Sequence, residues 1–289
     1  MDPIYTQVTI LLSNTYRIKS LFKHCLRSWA LIAILACVRL PAAHPDPTPV
    51  RHVQGTIHGF LELRAGDGRV VASGDVLQVP HGDRVTTQTF FKFKDGSTDD
   101  ETTVYSQHHI FQLITDHHIQ KGPSFPHPMD VTIDARGGQV TVRSTGKDGK
   151  EEVKNDHMKL PPDLANGLVP LVVENMLADA PATTVSLLVA DPKPRIVKLV
   201  FSKVGEDDFS VGESPRKAIH YEIKIDLGGV AGVVAPLIGK QPPNIQIWTV
   251  GGEAPVFVKE LGPLYPDGPM MTIQLANPVW PESQNTGHN

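Results

Sequence analysis

Cysteine is almost absent from this chain. Of its 289 residues only Cys25 and Cys37 are cysteines, and both lie near the amino terminus. The sequence after Cys37 therefore cannot form an internal disulfide, and it offers no thiolate as a nucleophile or metal ligand. Disulfide-stapled folds and cysteine-dependent enzymes are excluded for that part of the chain.

An excess of positive charge is lacking as well. The chain has 27 Lys and Arg against 31 Asp and Glu, which gives a formal net charge of −4, and the two signs are interspersed. Proteins that neutralise nucleic-acid phosphates carry a basic face. We therefore expect no nucleic acid among the partners of this protein.

Several motifs of catalysis and nucleotide binding are missing. There is no G-x-S-x-G elbow, which disfavours serine catalysis. The segment Gly228–Gly239 is rich in glycine but lacks the Lys-Ser/Thr of a P-loop and the G-x-G-x-x-G spacing, which disfavours phosphate binding. Three interpretations of this uncharged segment stay open: a lid over an apolar groove, a contact with a membrane surface, or a short helix or loop buried in the core.

No long apolar run is present, but a short one follows a basic segment near the amino terminus. The basic residues are Arg17, Lys19, Lys23 and Arg27. The apolar run covers Trp29–Val38, about half of the ~20 residues that span a bilayer. Small residues follow up to Ala43, so residues 1–43 are predicted to be a signal peptide or lipoprotein leader, followed by a Pro-rich linker at 44–51.

The leader indicates a compartment. It predicts secretion across the inner membrane and a periplasmic or outer-membrane-associated location. The tetrapeptide Ile34–Cys37 resembles a bacterial lipoprotein box, although Leu35 stands where a small residue is usual. Two alternatives follow: lipidation at Cys37, or an ordinary leader cysteine that is removed on cleavage.

Residues 52–281 have the pattern of a β-rich domain. Polar and apolar residues alternate along Lys217–Leu227, where Tyr221 and Ile223 face one side and Glu222 and Lys224 the other. With 25 Pro and 24 Gly, many turns are implied. The predicted fold is mainly β: a curved antiparallel sheet that forms a half-barrel, in one piece or in two halves, with one or two covering helices. Residues 282–289 are predicted to be a disordered tail.

The segment Val85–Pro128 is predicted to form one long hairpin. Thr87–Lys94 is the first strand, Asp95-Gly96 starts the turn, and Glu101–Gln120 is one unusually long second strand. The acidic turn Asp95–Glu101 lacks the spacing of a calcium loop, so we interpret it as a solvated hairpin tip. The Pro-rich residues that follow, 121–128, are a candidate rim for a pocket mouth.

One stretch has helical spacing. Leucine, valine and methionine recur over Leu164–Leu177, and Asp163 can cap the amino end. Pro170 within this window costs about 3 kcal/mol in a regular helix, so a kink or two short segments are expected. This helix is predicted to cover one face of the sheet.

Histidines in the hairpin suggest a metal site. His109 and His117 are the candidate ligands, with neighbouring acids, for a divalent metal and a metal-dependent hydrolase. Each is one of a pair of adjacent histidines, which a strand directs to opposite faces. His109 and His117 would also lie roughly 26 Å apart along a straight strand, so a shared site requires a bend.

The carboxyl-terminal third resembles a known type of carrier. The resemblance rests on Tyr221–Asp226, Ile247-Trp248, Pro255–Lys259 and Met271–Leu275. These segments are similar to the half-barrel proteins of the bacterial periplasm of the LolA and LppX type, and to a family of uncharacterised periplasmic proteins grouped with them. The resemblance implies a curved sheet whose concave face is apolar and partly closed by helices, with no catalytic residues.

These observations favour a binding protein without enzymatic activity and without a cofactor. The expected ligand is apolar or amphiphilic and lipid-like. The candidate ligand-binding residues are Tyr221, Ile223, Ile225, Trp248 and Phe257. Two other functions stay open: the metal-dependent hydrolase, and a structural protein of the cell envelope that contacts an envelope protein or a membrane surface.

Overall fold

The computed structural model describes most of the chain after the predicted leader. The described residues are 47–145, 150–177, 179–180, 182–190, 193–228, 241–253, 255–276 and 278–279. The chain divides into two units, Met1–His44 and Pro45–Asn289, and only the second contains described residues. The predicted leader, the tail and nearly all of the glycine-rich segment lie outside the described residues.

Fifteen strands and one described helix make up the second unit. The strands are β1 (Ile57–Arg64), β2 (Val70–His81), β3 (Arg84–Phe93), β4 (Thr98–Ser106), β5 (Gln112–Lys121), β6 (Met129–Asp134), β7 (Gln139–Thr145), β8 (Glu151–His157), β9 (Thr183–Val189), β10 (Arg195–Val211), β11 (Ser214–Asp226), β12 (Ile245–Val250), β13 (Val256–Pro263), β14 (Met270–Leu275) and β15 (Pro278–Val279). The helix, α1, covers Val169–Glu174.

All fifteen strands belong to one antiparallel sheet. Its order is β15-β10-β11-β12-β13-β14-β1-β2-β3-β4-β5-β6-β7-β8, with β9 also paired to β10. Among the described residues no pairing joins β8 to β9 or β15, so the sheet is curved but not closed. The prediction of a mainly β fold with a curved antiparallel sheet is confirmed, and the sheet is single.

Strand alternation places apolar side chains on the inner face of the sheet. The larger core cluster contains Phe201, Tyr221, Ile223 and Ile247, which meet across β10, β11 and β12. A smaller cluster at another part of the sheet includes Leu63 and Phe93. Burying one such side chain contributes about 1.5–3 kcal/mol, so these two clusters are the main source of stability.

Helix α1 covers the larger cluster, but it is much shorter than predicted. It starts after Leu168, which makes no side-chain cap, and Pro170 lies in its first turn, where a missing N–H is tolerated. Gly167 has a φ of 65°, and this left-handed residue ends any helix from Leu164 onward. Asp163 is not a cap: its carboxylate accepts a hydrogen bond from the Ser186 hydroxyl at 2.9 Å.

The predicted long hairpin is three strands, because the second strand is interrupted. Residues 107–111 separate β4 from β5, and His109 has a φ of 63°. This break is fixed from outside the hairpin. The Val50 N–H donates to the His109 carbonyl at 2.9 Å, and the Phe111 N–H donates to the Thr48 carbonyl at 2.8 Å. Part of the predicted linker is therefore paired with the domain.

Candidate functional site

The apolar residues predicted to bind a ligand lie mostly in packed core. Tyr221 and Ile223 are 3% and 0% exposed, and both belong to the larger cluster, against which Ile225 also packs. Burial raises the pKa of the Tyr221 hydroxyl. The alternation along β11 thus identified the inner face of the sheet, and that face is filled with side chains at this position.

The two aromatic candidates lie on opposite faces. Phe257 is half-buried and packs against both clusters on the inner side. Trp248 faces the outer side, where its ring stacks on His220 at 4.3 Å and lies 4.2 Å from the Lys259 ammonium. Its indole N–H donates to Asp207 at 2.6 Å. The structure therefore brings Phe257 to the same face as Tyr221 but separates Trp248 from them.

The two histidines proposed as metal ligands are not brought together. His109 lies in the connection between β4 and β5, where its ring is 4.1 Å from that of His108. His117 lies within β5, and its Nε2 is 3.0 Å from Asp130 Oδ1. Among the residues that the structure describes, no group of three or more His, Cys, Asp or Glu could hold a metal ion.

A cleft opens at the end of the sheet formed by β5 to β8. Its volume is about 840 Å³, within the range of small-molecule sites. Its lining comes from the strands β5 to β8, the segments 126–128 and 265–266, and residues 190, 193 and 194. The lining residues are Gln120, Pro126, His127, Pro128, Met129, Val142, Arg143, Ser144, Thr145, Lys154, Asn155, Asp156, Ala190, Lys193, Pro194, Tyr265 and Pro266.

The sheet supplies an amphipathic wall of this cleft. Val142 of β7 lies opposite Lys154 of β8, and Val140 lies opposite Asp156. Residues paired in register lie on the same face of a sheet. Lys154 and Asp156 therefore lie on the inner face, beside Val142 and Val140. Edge strand β8 therefore presents charges where the other strands present apolar groups.

The remaining walls come from loops that are distant in the sequence. Pro126, His127 and Pro128 line the cleft, in agreement with the rim predicted for residues 121–128. Facing lining comes from Tyr265-Pro266, which follows β13, and from Ala190 and residues 193–194, between β9 and β10. Apolar, aromatic and charged groups thus surround one space.

At its inner end the cleft meets a set of polar side chains, which we call the polar belt. It consists of Asp99, Glu101, Thr103, Asp116, His118 and Gln120. In register, Asp99 lies opposite Gln120, Glu101 opposite His118 and Thr103 opposite Asp116. Since Gln120 also lines the cleft, it connects the two regions.

Hydrogen bonds hold much of the belt in place. The Gln120 amide donates to the Asp99 carboxylate and to the Leu264 carbonyl, both at 2.9 Å. His118 Nε2 lies 2.7 Å from Asp99 Oδ1, and the Thr103 hydroxyl donates to Asp116 Oδ1 at 2.8 Å. Such bonds are required because buried polar groups without partners cost free energy.

The enclosure of the belt changes its protonation. Burial would lower the pKa of His118, but the Asp99 bond and the nearby Glu101 and Asp116 carboxylates raise it to about 9. Burial and the Glu101 charge raise the pKa of Asp116 to about 7. Burial also raises the pKa of Glu101. His118 is therefore a cation at neutral pH.

Two further carboxylates approach from other elements. Burial raises the pKa of Glu260, on β13, to about 7, and its charge also raises the pKa of Glu101. Glu101 and Glu260 are each partly accessible to solvent. Such partial accessibility is expected for groups that face an enclosed space. Glu174 of α1 has a pKa raised by burial to about 7, and it accepts a hydrogen bond from the Phe257 N–H at 2.9 Å.

The belt corrects the interpretation of Asp95–Glu101 as a solvated tip. Only the beginning of that segment is a turn, where Asp95 accepts a hydrogen bond from the Ser97 N–H at 2.9 Å. Ser97 is 0% exposed and Asp99 8% exposed. These residues point inward because their partners lie on β5, and only the register of β4 with β5 would have revealed those partners.

The cleft, too, went largely unpredicted. Apart from its Pro-rich rim, no sequence signal distinguished Met129, Val142, Lys154 or Tyr265 from ordinary strand and loop residues. Charges at inward positions of a strand are one such signal, but they can be recognised only once the pairing of β7 with β8 is known.

The chain was compared with protein families, curated proteins and solved structures. No protein-family model matches the chain, and no curated protein matches it. The crystal structure of a β-barrel-like protein of the domain of unknown function DUF1849 from Brucella abortus is similar, with a TM-score of 0.40 and 11% sequence identity. The alignment covers 79% of this chain and 99% of that chain. The resemblance to the LolA and LppX type stays a prediction.

Within the described part of the chain, no helix combines the length and the apolar character needed to cross a bilayer.

Proposed function

We propose that this protein is a non-enzymatic binding protein that takes an apolar or amphiphilic, lipid-like small molecule into the cleft. The observation that carries the proposal is the cleft itself: about 840 Å³ between the open end of the sheet and two remote loops. Sites for small molecules are typically clefts of this size with mixed apolar and polar walls. The ligand site is thus assigned to Met129, Val142 and Tyr265 and their neighbours, in place of Tyr221 and Ile223.

The chemistry of the lining favours binding over catalysis. Ser144 and Thr145 line the cleft, yet among the described residues neither hydroxyl is hydrogen-bonded to a histidine that would activate it. The metal-dependent hydrolase finds no support in the geometry, because His109 and His117 are not lining residues of this cleft and lie in different elements.

Native mass spectrometry of the protein purified from its host envelope tests the proposal. The expected result is a co-purifying mass of lipid size that denaturation releases. Ala190→Trp should abolish that mass, because Ala190 lines the cleft and the indole would fill it. Val204→Trp is the matched control, since Val204 is 58% exposed and lies outside the cleft. Equal ligand retention by both variants would contradict the assignment of the cleft.

We also propose that the protein is exported, to the periplasm or the outer membrane. The support is the basic and apolar pattern of residues 1–43. The mass and amino-terminal sequence of the exported protein test this. Cleavage near Ala43 supports a signal peptide, and an added acyl mass that Cys37→Ser removes supports lipidation. Retention of an unprocessed chain in the cytoplasm would contradict both forms of the proposal.

A further inference from the structure

We infer that the ligand of the cleft carries an anionic group, a carboxylate or phosphate, on a single hydrocarbon chain. The inference rests on the proposed function, and it adds the charge of the ligand. Its basis is the placement of Lys154 and Lys193 around a space that is otherwise lined mainly by apolar and neutral residues.

The charge of the cleft differs from that of the whole chain. The chain has a net charge of −4, with more acidic than basic residues. The cations offered to the cleft are Lys154 and Lys193, against one carboxylate, Asp156. The Arg143 side chain is on the other face of β7 from Val142 and lies 3.5 Å from Asp130. A local excess of positive charge in an acidic protein attracts anions to this cleft in preference to the remaining surface.

The two lysines of the cleft lack an acidic partner among the described residues. Arg64, Arg69 and Lys217 each lie within 2.8 Å of a carboxylate oxygen. In the described part of the chain, by contrast, Lys154 and Lys193 have no ion-pair or hydrogen-bond partner. Their ammonium groups are therefore available to an anionic ligand.

The apolar residues of the same lining account for the hydrocarbon chain. Val142 lies in register with Lys154, so an ammonium group and an apolar side chain stand next to each other on the sheet wall. Met129 and Tyr265 add further apolar surface. A molecule that pairs with the ammonium group and also contacts the apolar side chains must join an anion to an apolar chain. The volume of about 840 Å³ suits one molecule of drug size.

Three probes with the same ten-carbon chain separate charge from hydrophobicity. Decyl phosphate, decanol and decyltrimethylammonium are titrated, as monomers, into the full chain labelled with ¹³C at the methionine methyl groups. Met129 lines the cleft, so its signal, assigned with Met129→Leu, reports binding there. We expect decyl phosphate to bind at least tenfold more tightly than either other probe. Decanoate then distinguishes a carboxylate from a phosphate preference.

Charge reversal identifies the residues responsible. Lys154→Glu with Lys193→Glu should weaken decyl phosphate at least tenfold and leave decanol unchanged. Lys92→Glu with Lys224→Glu is the matched control, because it makes the same change in net charge at exposed lysines outside the cleft. Equal weakening in both double variants would overturn the inference.

The outcomes separate this inference from the proposed function. If all three probes shift the Met129 signal with equal affinity, the cleft binds amphiphiles but does not select anions, and only the inference fails. If no probe shifts that signal, the proposed function fails with it.

Discussion

The inner face of the sheet is packed near one end and open at the other. At β10 to β12 the inner residues Phe201, Tyr221 and Ile223 are nearly inaccessible, and α1 packs over them. At β7 and β8 the inner positions include Val142, half-buried, and Lys154, exposed, and loops enclose a cleft instead of a core. Strand β11, with its regular apolar alternation, therefore belongs to the packed core. The charged edge strand β8 borders the candidate site.

The difference arises from what covers each end. The segment Leu164–Val173 supplies apolar side chains that fill the space over β10 to β12. The β8 end faces the Pro-containing segments 193–194 and 265–266, which line the space without filling it. Between the two ends, the polar belt places titratable groups inside the curve of the sheet. A concave face in such a fold is thus divided into packed, polar and open regions.

Removing a side chain from the packed end should have the largest effect. Ile223→Ala leaves a cavity among fully buried neighbours, so the free energy of unfolding should fall by about 2–5 kcal/mol. Met129→Ala in the cleft should cost less than half as much, because Met129 is half-buried and borders open space. Denaturant unfolding of both variants measures this. Equal losses of unfolding free energy would contradict the distinction between a packed and an open end of the sheet.

A smaller loss is expected in the polar belt. Asp99→Ala removes the partner of the His118 cation, which should cost about 2–3 kcal/mol because the pair is mostly enclosed. The pKa of His118, measured by NMR, should fall in the same variant. Asp75→Ala is the control, since the His58–Asp75 pair is about half exposed and such pairs contribute ~0–1 kcal/mol. If the two aspartate variants lose equal stability, the belt is not enclosed.

A further prediction concerns the pH dependence of stability. Asp116, Glu174 and Glu260 have pKa values raised to about 7, above the ~4 of an unfolded chain, so between pH 4 and 7 the folded state binds more protons. His118, raised to about 9, extends this behaviour between pH 6.5 and 9. Stability contributed by these groups is therefore lost as the pH rises, and Tm should fall from pH 5 to pH 9.

One substitution isolates a single carboxylate. Glu260→Gln removes a group whose ionisation is disfavoured, so Tm at pH 8 should rise by roughly 2–4 °C while Tm at pH 4 changes little. Glu206→Gln, at an exposed position of β10, should change neither value. Calorimetric scans at the two pH values provide the measurement. A gain at pH 4 equal to that at pH 8 would show that Glu260 acts by packing instead of charge.

Local sequence pattern predicted the class of fold but not its interruptions. Alternation located β11 well. The break at residues 107–111 depends on pairing with residues 48–50, and the shortening of α1 depends on the left-handed Gly167. Both causes involve contacts or backbone angles that hydrophobic periodicity does not encode.

The site was less predictable than the fold for a related reason. Lys154, Lys193 and Tyr265 meet only because the sheet curves and two loops return to its open end. The belt likewise needs the register that places Glu101 opposite His118. Single-strand patterns cannot reveal such convergence. The Pro-rich rim was the exception, because it is one continuous segment.

A crystal structure of the protein purified from its host envelope, with any ligand retained, would show directly whether the ligand binds in the cleft. We expect ligand density against Met129, Val142 and Tyr265, with the polar end of the ligand beside Lys154. Density between Tyr221 and Ile223, or a ligand bound on the outer face at Trp248 with the cleft empty, would contradict it.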